Sequence, residues 1–361
     1  MNNKPSLRQR IGMELFRQQL KQRQKSHPLH TLFWECTLRC NVACRHCGSD
    51  CRAISDQEDM PREDFLKVID SITPHVDPHK VFIIFTGGEP LMRQDLELCG
   101  RELYQREYPW GIVTNGLYLT APRLESLLQA GIHSATISLD GPEEAHNWLR
   151  RHSKSFRQAT EAIRLLGREK EIRWDIVTCV NQHNYAQLPA FRDYLIDSGV
   201  KNWRIFTIFP VGRAATQPEL QLTDQEFTGL LDFIADTRKA GHIRLNFACE
   251  GFLGAYETKV RDYLYHCNAG IHVASIRADG SISGCPSIRA NYNQGNIYQD
   301  DFMQVWNNRF EPFRHREWAK QGACTNCNLF RYCEGNGMHL HDENGKLMTC
   351  HYKKLTIEKE I

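Results

Sequence analysis

Six short apolar or β-branched runs, each followed by a helical stretch, constrain this chain more than any other feature. The runs occupy residues 31–35, 81–86, 111–114, 135–139, 175–180 and 204–209, and helical patterns fill 62–72, 95–108, 122–130, 156–166 and 187–198. Gly131, Gly167 and Gly199 supply stops for three of these helices. Strands that alternate with helices pair in parallel, because each crossover needs a helix to return the chain to the same end of the sheet. The expected fold class is therefore α/β, a partial (β/α)6 barrel of the TIM type rather than a closed eight-unit one. Its gap could admit a bulky substrate. Chemistry in such a sheet sits at the carboxyl ends of the strands, so the residues just after each run carry the functional information.

After the first run comes Cys40-Asn41-Val42-Ala43-Cys44-Arg45-His46-Cys47, three cysteines spaced C-x3-C-x2-C. A four-iron cubane takes one thiolate per iron, so Cys40, Cys44 and Cys47 would leave one iron open for an exogenous ligand. A structural zinc loop completed by His46 or Cys51 is the other chemistry such spacing allows. The rest of the chain separates the two. Gly87-Gly88-Glu89-Pro90 follows the second run, Asn115-Gly116 the third, and Ser138-Leu139-Asp140-Gly141 the fourth. Glycines permit close backbone approach, and Glu89 can accept from an ammonium group.

In this order the motifs resemble the radical S-adenosylmethionine (SAM) superfamily, whose fold is an open six-unit barrel. That resemblance implies that the open iron chelates the SAM amine and carboxylate. It further implies that Gly87, Gly88, Glu89 and Pro90 bind the amino group, that Asn115 lines the pocket, that Ser138 and Asp140 face the ribose and carboxylate, and that Arg150 pairs with the carboxylate. Arg151 is adjacent to Arg150, so the choice between them stays open. His46 stands where relatives commonly carry an aromatic residue near adenine, and imidazole can stack similarly. The last run continues as Ile205-Phe206-Thr207-Ile208-Phe209-Pro210-Val211-Gly212-Arg213. It is apolar enough to flank adenine, looks like the family's barrel-closing strand, and reads equally as ordinary core.

A second cysteine set follows a change of composition near residue 265. Cys267, Gly280 and Cys285, then Cys324, Cys327, Cys333 and Cys350, resemble the SPASM extension of radical SAM peptide-modifying enzymes. That pattern has a further cysteine four residues after the one matching Cys333, and here the position is Gly337. Cys324, Cys327, Cys333 and Cys350 suffice for a closed outer cluster, with structural zinc as the alternative. Cys267 and Cys285, on a hairpin predicted through Asp279-Gly280, leave four readings: no inner cluster, a two-iron cluster, a cubane with an open iron, or recruitment of Cys249, His266 or another ligand. A single cluster shared by the hairpin pair with Cys324 and Cys327 is a further layout. His339, His341 and His351 read as parts of a solvated loop. Cys99 and Cys179 lie on periodic elements as small buried hydrophobes.

The expected organisation is a basic helical extension over 1–30, a partial barrel over 31–215, a linker helix region over 216–260 and the cysteine-rich module over 261–361. The extension carries Lys4, Arg8, Arg10, Arg17, Lys21, Arg23 and Lys25 against Glu14 alone. It reads as a helix packed beside the barrel, with a lipid anchor or a peptide dock as alternatives. Lys plus Arg is 45 against 43 Asp plus Glu, which leaves no basic field for nucleic acid. Fourteen cysteines without a signal peptide or a long apolar run point to metal binding in a reducing cytoplasm.

The resemblance implies an enzyme with a [4Fe-4S] cluster, SAM, one or two auxiliary clusters, and an external one-electron donor of flavodoxin or ferredoxin type. Its expected action is hydrogen abstraction from a peptide or protein, ending in a thioether, a carbon-carbon crosslink or an oxidation. Formylglycine formation as in sulfatase maturases, tetrapyrrole or quinone biosynthesis, and a non-catalytic iron–sulfur or zinc protein are the alternatives.

Overall fold

A computed structural model describes residues 4–356. Ten strands form one sheet in the order β10-β9-β8-β1-β2-β3-β4-β5-β6-β7. They are β1 Thr31–Thr37, β2 Phe82–Gly87, β3 Trp110–Thr114, β4 Ile132–Ser138, β5 Arg173–Val180, β6 Asn202–Thr207, β7 Arg244–Phe247, β8 Val273–Ile276, β9 Ser281–Ser283 and β10 Gly295–Asn296. Every pairing from β8 through β1 to β7 is parallel. The six expected strands are all present, each within three residues of its sequence boundaries.

The helices are α1 Leu7–Ser26, α2 Arg62–Ile72, α3 Leu96–Gln105, α4 Ala121–Gln129, α5 Glu143–Arg150, α6 Ser155–Leu166, α7 Leu188–Asp197 and α8 Asp224–Ala240, followed by shorter turns. Several begin as the sequence dictates. Thr120 accepts from the Arg123 amide to cap α4, and Thr223 with Glu226 forms a reciprocal capping box on α8. Strands covered by helices read as continuous apolar runs because both faces are shielded from water. Trp34 of β1 stacks on Phe65 of α2 at 4.0 Å and meets Phe85 of β2 edge-on at 5.3 Å.

Two parts of the organisation differ from expectation. The segment read as a linker, 216–260, contains α8 and β7, and β7 extends the sheet beyond β6. The cysteine-rich module contributes β8 to the opposite edge, where Thr31 to Trp34 pair with Val273 to Ile276. Its β8–β9 hairpin does turn at Asp279-Gly280, with Gly280 at φ +83°. The helix α1 packs on the C-terminal module rather than on the barrel. Met13 and Leu20 are buried in a cluster and crevice that include Phe252, Tyr265 and Tyr332, and Glu14 pairs with Arg331 at 2.6 Å. Among the described residues no helix is long and apolar enough to cross a membrane.

Candidate functional site

The loop carrying Cys40, Cys44 and Cys47 leaves the carboxyl end of β1 and is seated on the loop that follows β2. The Gly88 amide donates to the Thr37 carbonyl at 2.7 Å and the Glu89 amide to the Arg39 carbonyl at 2.9 Å. Gly87 has φ +136°, and a Cβ on it would stand 2.1 Å from the Thr37 oxygen. A Cβ on Gly88 would stand 2.2 Å from the Arg39 oxygen. The two glycines are therefore required by the chain's own backbone contact. Pro90 opens the short turn Pro90–Met92 that follows.

A second grip comes from the segment after β6, and sequence reasoning had assigned it no such role. Gly212, at φ +59°, lies so close that a Cβ would be 2.5 Å from the carbonyl oxygens of Cys47 and Gly48. Arg213 donates to the Cys44 carbonyl at 2.7 Å, the Cys51 carbonyl at 3.0 Å and Asp50 at 2.7 Å. Gln217 donates to the Arg45 carbonyl at 2.9 Å. Carbonyl groups turned away from regular structure need such donors when they are shielded from water.

Polar side chains from the end of β3 and the end of α5 reach the thiols. Asn115, after β3, donates to Asn41 at 2.7 Å and lies 3.9 Å from the Cys40 sulfur. Arg150, at the end of α5, places its guanidinium 3.7 Å from the Cys44 sulfur and 2.6 Å from Asp140. Arg151 is exposed with φ +53°, so the structure brings Arg150 and not Arg151 to the loop. Burial pushes the Cys44 thiol up, and the Arg150 charge pulls it the other way. Burial also raises Cys40 to about 12, against a backbone donor at Val42. The Cys51 thiol donates to Cys47 and holds it below its ordinary value. Burial drives His46 down to about 3, with Arg150 adding to the effect, so its imidazole is neutral; its Nδ1 is buried without a partner. Ser138 is half-buried at the end of β4, paired with Val177.

Two of the expected ligand residues are engaged within the chain itself. Glu89 is 1 % exposed, and its carboxylate accepts from the Thr114 hydroxyl at 2.6 Å and from the amides of Asn115 and Leu91 at 2.8 and 3.1 Å. It fastens the ends of β2 and β3 together, with both carboxylate oxygens engaged. Asp140 is 0 % exposed, accepting from Arg150 and from the Cys179 amide at 2.9 Å, with His146 3.4 Å away. Burial pushes this carboxyl up, but Arg150 and His146 outweigh it and hold it well below the usual range. Asp140 thus orients Arg150.

Among the described residues no three His, Cys, Asp or Glu side chains converge on a single ion. A cubane asks for something else, one thiolate on each iron, with donors to the sulfurs that tune it. The loop fits that demand: Cys40, Cys44 and Cys47 pack in one cluster, with Asn115, Arg150 and the Val42 amide directed at their sulfurs.

The second cysteine set fits as well. Cys324, Cys327, Cys333 and Cys350 all line one cavity of about 400 Å3, walled by Phe252 and Tyr352. Burial raises Cys333 to about 12, opposed by amides of Asn336 and Gly335 that donate to its sulfur. Cys285 packs against the main core, and Cys267 packs both there and in the cluster of Phe252 and Tyr265 that also takes Cys333; neither lines the cavity itself. His351, expected in a solvated loop, is buried 3.4 Å from Glu250, and His341 is buried with its Nδ1 3.2 Å from the Gly337 carbonyl. Cys99 is buried as expected, whereas Cys179 is only partly so.

Residues 34–195 match the radical SAM superfamily, and residues 267–328 match SPASM, an iron-sulfur cluster-binding domain. The chain is 31% identical over 318 residues to the mycofactocin maturase MftC of Mycolicibacterium smegmatis, covering 85% of this chain and 77% of that one. It is 27% identical over 339 residues to an AdoMet-dependent heme synthase of Oleidesulfovibrio alaskensis, covering 86% and 85%. Its fold is similar to that of native anSMEcpe with bound AdoMet and a Kp18Cys peptide, with a TM-score of 0.71, 18% identity and coverage of 91% and 94%.

Proposed function

The chain belongs to the radical SAM superfamily and carries a SPASM domain, and from that premise we propose that it modifies a peptide or protein. It is an enzyme of SAM-cleaving radical chemistry, with a [4Fe-4S] cluster, SAM and auxiliary iron–sulfur clusters as cofactors. When bound, the first cluster supplies the electron that cleaves SAM to a 5′-deoxyadenosyl radical. Everything else falls to the residues of the chain.

In this reading Cys40, Cys44 and Cys47 hold the first cluster. Gly87, Gly88 and Pro90 shape the loop beside it and Glu89 fixes that loop to β3, leaving backbone groups for the SAM amino end. Asn115, Ser138 and Arg150 border the same space, and Asp140 aims Arg150, whose charge favours both a thiolate at Cys44 and a carboxylate nearby. His46 stays neutral and offers a flat face to adenine. The clamp from Gly212 to Gln217 holds the loop rigid and shields its carbonyl groups from water. Cys324, Cys327, Cys333 and Cys350 hold the outer auxiliary cluster.

We assign residues 31–215 to SAM chemistry, 261–361 to the auxiliary clusters and 216–260 to the junction between them, with 1–30 as a helical extension. A flavodoxin or ferredoxin type donor in a reducing cytoplasm completes the proposal. The observation that carries the peptide substrate is the 31% identity to a maturase across most of both chains. Likeness to a heme synthase over 86% of the chain favours a second reading, a porphyrin substrate.

Reduced, reconstituted enzyme should be given SAM with either the peptide encoded by a short reading frame beside its gene or an iron porphyrin. Stimulated 5′-deoxyadenosine release with a mass change on the peptide is expected. Turnover of the porphyrin alone would overturn the peptide reading.

A further inference from the structure

The C-terminal module uses one apolar side of α1 and leaves another in water. Met13 and Leu20 are buried against it, whereas Leu7, Ile11 and Leu15 are 69%, 56% and 67% exposed. Steps of four residues place these three on a single ridge that climbs about 12 Å along the helix. The same geometry sets Arg8 on one flank of the ridge and Arg10 and Lys21 on the other, and all three cations are exposed. The helix's one acid, Glu14, is already paired: Arg17 donates to it at 3.1 Å and Arg331 of the module meets it at 2.6 Å. The ridge therefore presents apolar side chains between positive charges.

The rest of the helix is fixed so that this ridge cannot turn inward. Ser6 and Gln9 close a capping box at its start, and the Gln9 side chain donates to the Ala255 carbonyl at 3.1 Å. Near its end Gln24 donates to Glu334 at 3.2 Å. The helix and its orientation exist before anything binds, so docking carries no cost of ordering the segment. Three side chains cover far less than the roughly 800 Å2 a side that a stable protein–protein interface buries. A second copy of the chain would set Arg8 and Arg10 against their own counterparts across the ridge. A lipid surface has neither difficulty, because a convex apolar ridge sinks into the acyl boundary while the flanking cations meet anionic headgroups.

We propose that the exposed ridge of α1 docks the enzyme on an anionic lipid surface, with Leu7, Ile11 and Leu15 inserted at the headgroup boundary and Arg8, Arg10 and Lys21 pairing with lipid phosphates. The helix then lies in the plane of the interface and holds the C-terminal module against it. The site owes nothing to the cluster chemistry, so it stands or falls apart from the proposed function.

The test sediments the full chain, reconstituted with iron and sulfide, with vesicles of phosphatidylcholine alone and of phosphatidylcholine and phosphatidylglycerol in equal parts. The protein should go down with the anionic vesicles and not with the neutral ones, and less of it as salt rises. Leu7→Ser with Ile11→Ser and Leu15→Ser should melt as the wild type does, since no packed side chain is removed, and should bind the anionic vesicles at least about tenfold more weakly. Arg8→Gln with Arg10→Gln should weaken binding and flatten its salt dependence. No sedimentation of the wild type with anionic vesicles would overturn the proposal, as would equal sedimentation with neutral ones or full binding by the serine variant. Unchanged binding by the arginine variant would overturn it whatever the melting of the serine variant. A solution dimer that the serine variant loses, without lipid binding by the wild type, would assign the ridge to a second copy instead.

Discussion

Gly212 shows how single residues set the first cysteine loop. Its positive φ and the 2.5 Å approach to two carbonyl oxygens leave no room for a side chain. Gly212→Ala should cost about 1–3 kcal/mol from backbone strain alone. Because the displaced atoms belong to Cys47 and Gly48, the variant should also lose up to about four irons while the auxiliary thiols keep theirs. Thermal unfolding and iron analysis of the purified protein check both outcomes. The Asp140–Arg150 pair makes a second prediction. Asp140→Asn leaves Arg150 buried without its counter-charge and should destabilise the chain by about 3–5 kcal/mol. The folded carboxyl titrates below its unfolded value of about 3.9, so the ionised form contributes stability that is fully present above that value and lost as the pH falls through the lower, folded one. Unfolding measured across pH should show a constant gap between wild type and variant down to about pH 4, closing only below it.

At the scale of elements, α1 acts as part of the C-terminal module. Truncation through residue 26 would uncover Phe252, Tyr265 and Tyr332 and remove Met13 and Leu20 from their crevice. Losing two such side chains from a packed site costs roughly 2–5 kcal/mol each, so the truncated protein should melt earlier and lose auxiliary iron before first-loop iron. A melting curve followed at the iron–sulfur absorbance reads this directly; an unchanged curve would show that α1 contributes nothing to the module. The exposed side of the helix carries Leu7, Ile11 and Leu15, and its basic residues flank that stripe. Vesicle co-sedimentation of wild type and truncated protein separates packing from lipid binding.

Across the whole molecule, the six strands and their helices were legible because parallel strands covered on both faces must be apolar and their crossovers must be helical. β7 was not legible, since Arg244 to Phe247 is short and alternates polar and apolar residues. Nor was the junction of β8 with β1, because pairing across more than 200 residues leaves no local trace. The same division runs through the site. Spacing brought Cys40, Cys44, Cys47, Glu89, Asp140 and Arg150 to one end of the sheet. It did not reveal that Glu89 and Asp140 turn inward, because Thr114, Asn115 and the Cys179 amide reach them only in the folded chain. The grip of Gly212 and Arg213 on the loop also depends on approach between distant segments. The proposed function rests on a cluster held by Cys40, Cys44 and Cys47 that cleaves SAM reductively. The most direct measurement is 5′-deoxyadenosine released by anaerobically reconstituted, dithionite-reduced protein supplied with SAM. The wild type should give product and Cys44→Ala none while keeping its auxiliary iron; no product from the wild type, beside an active control enzyme, would show that the loop carries no such cluster.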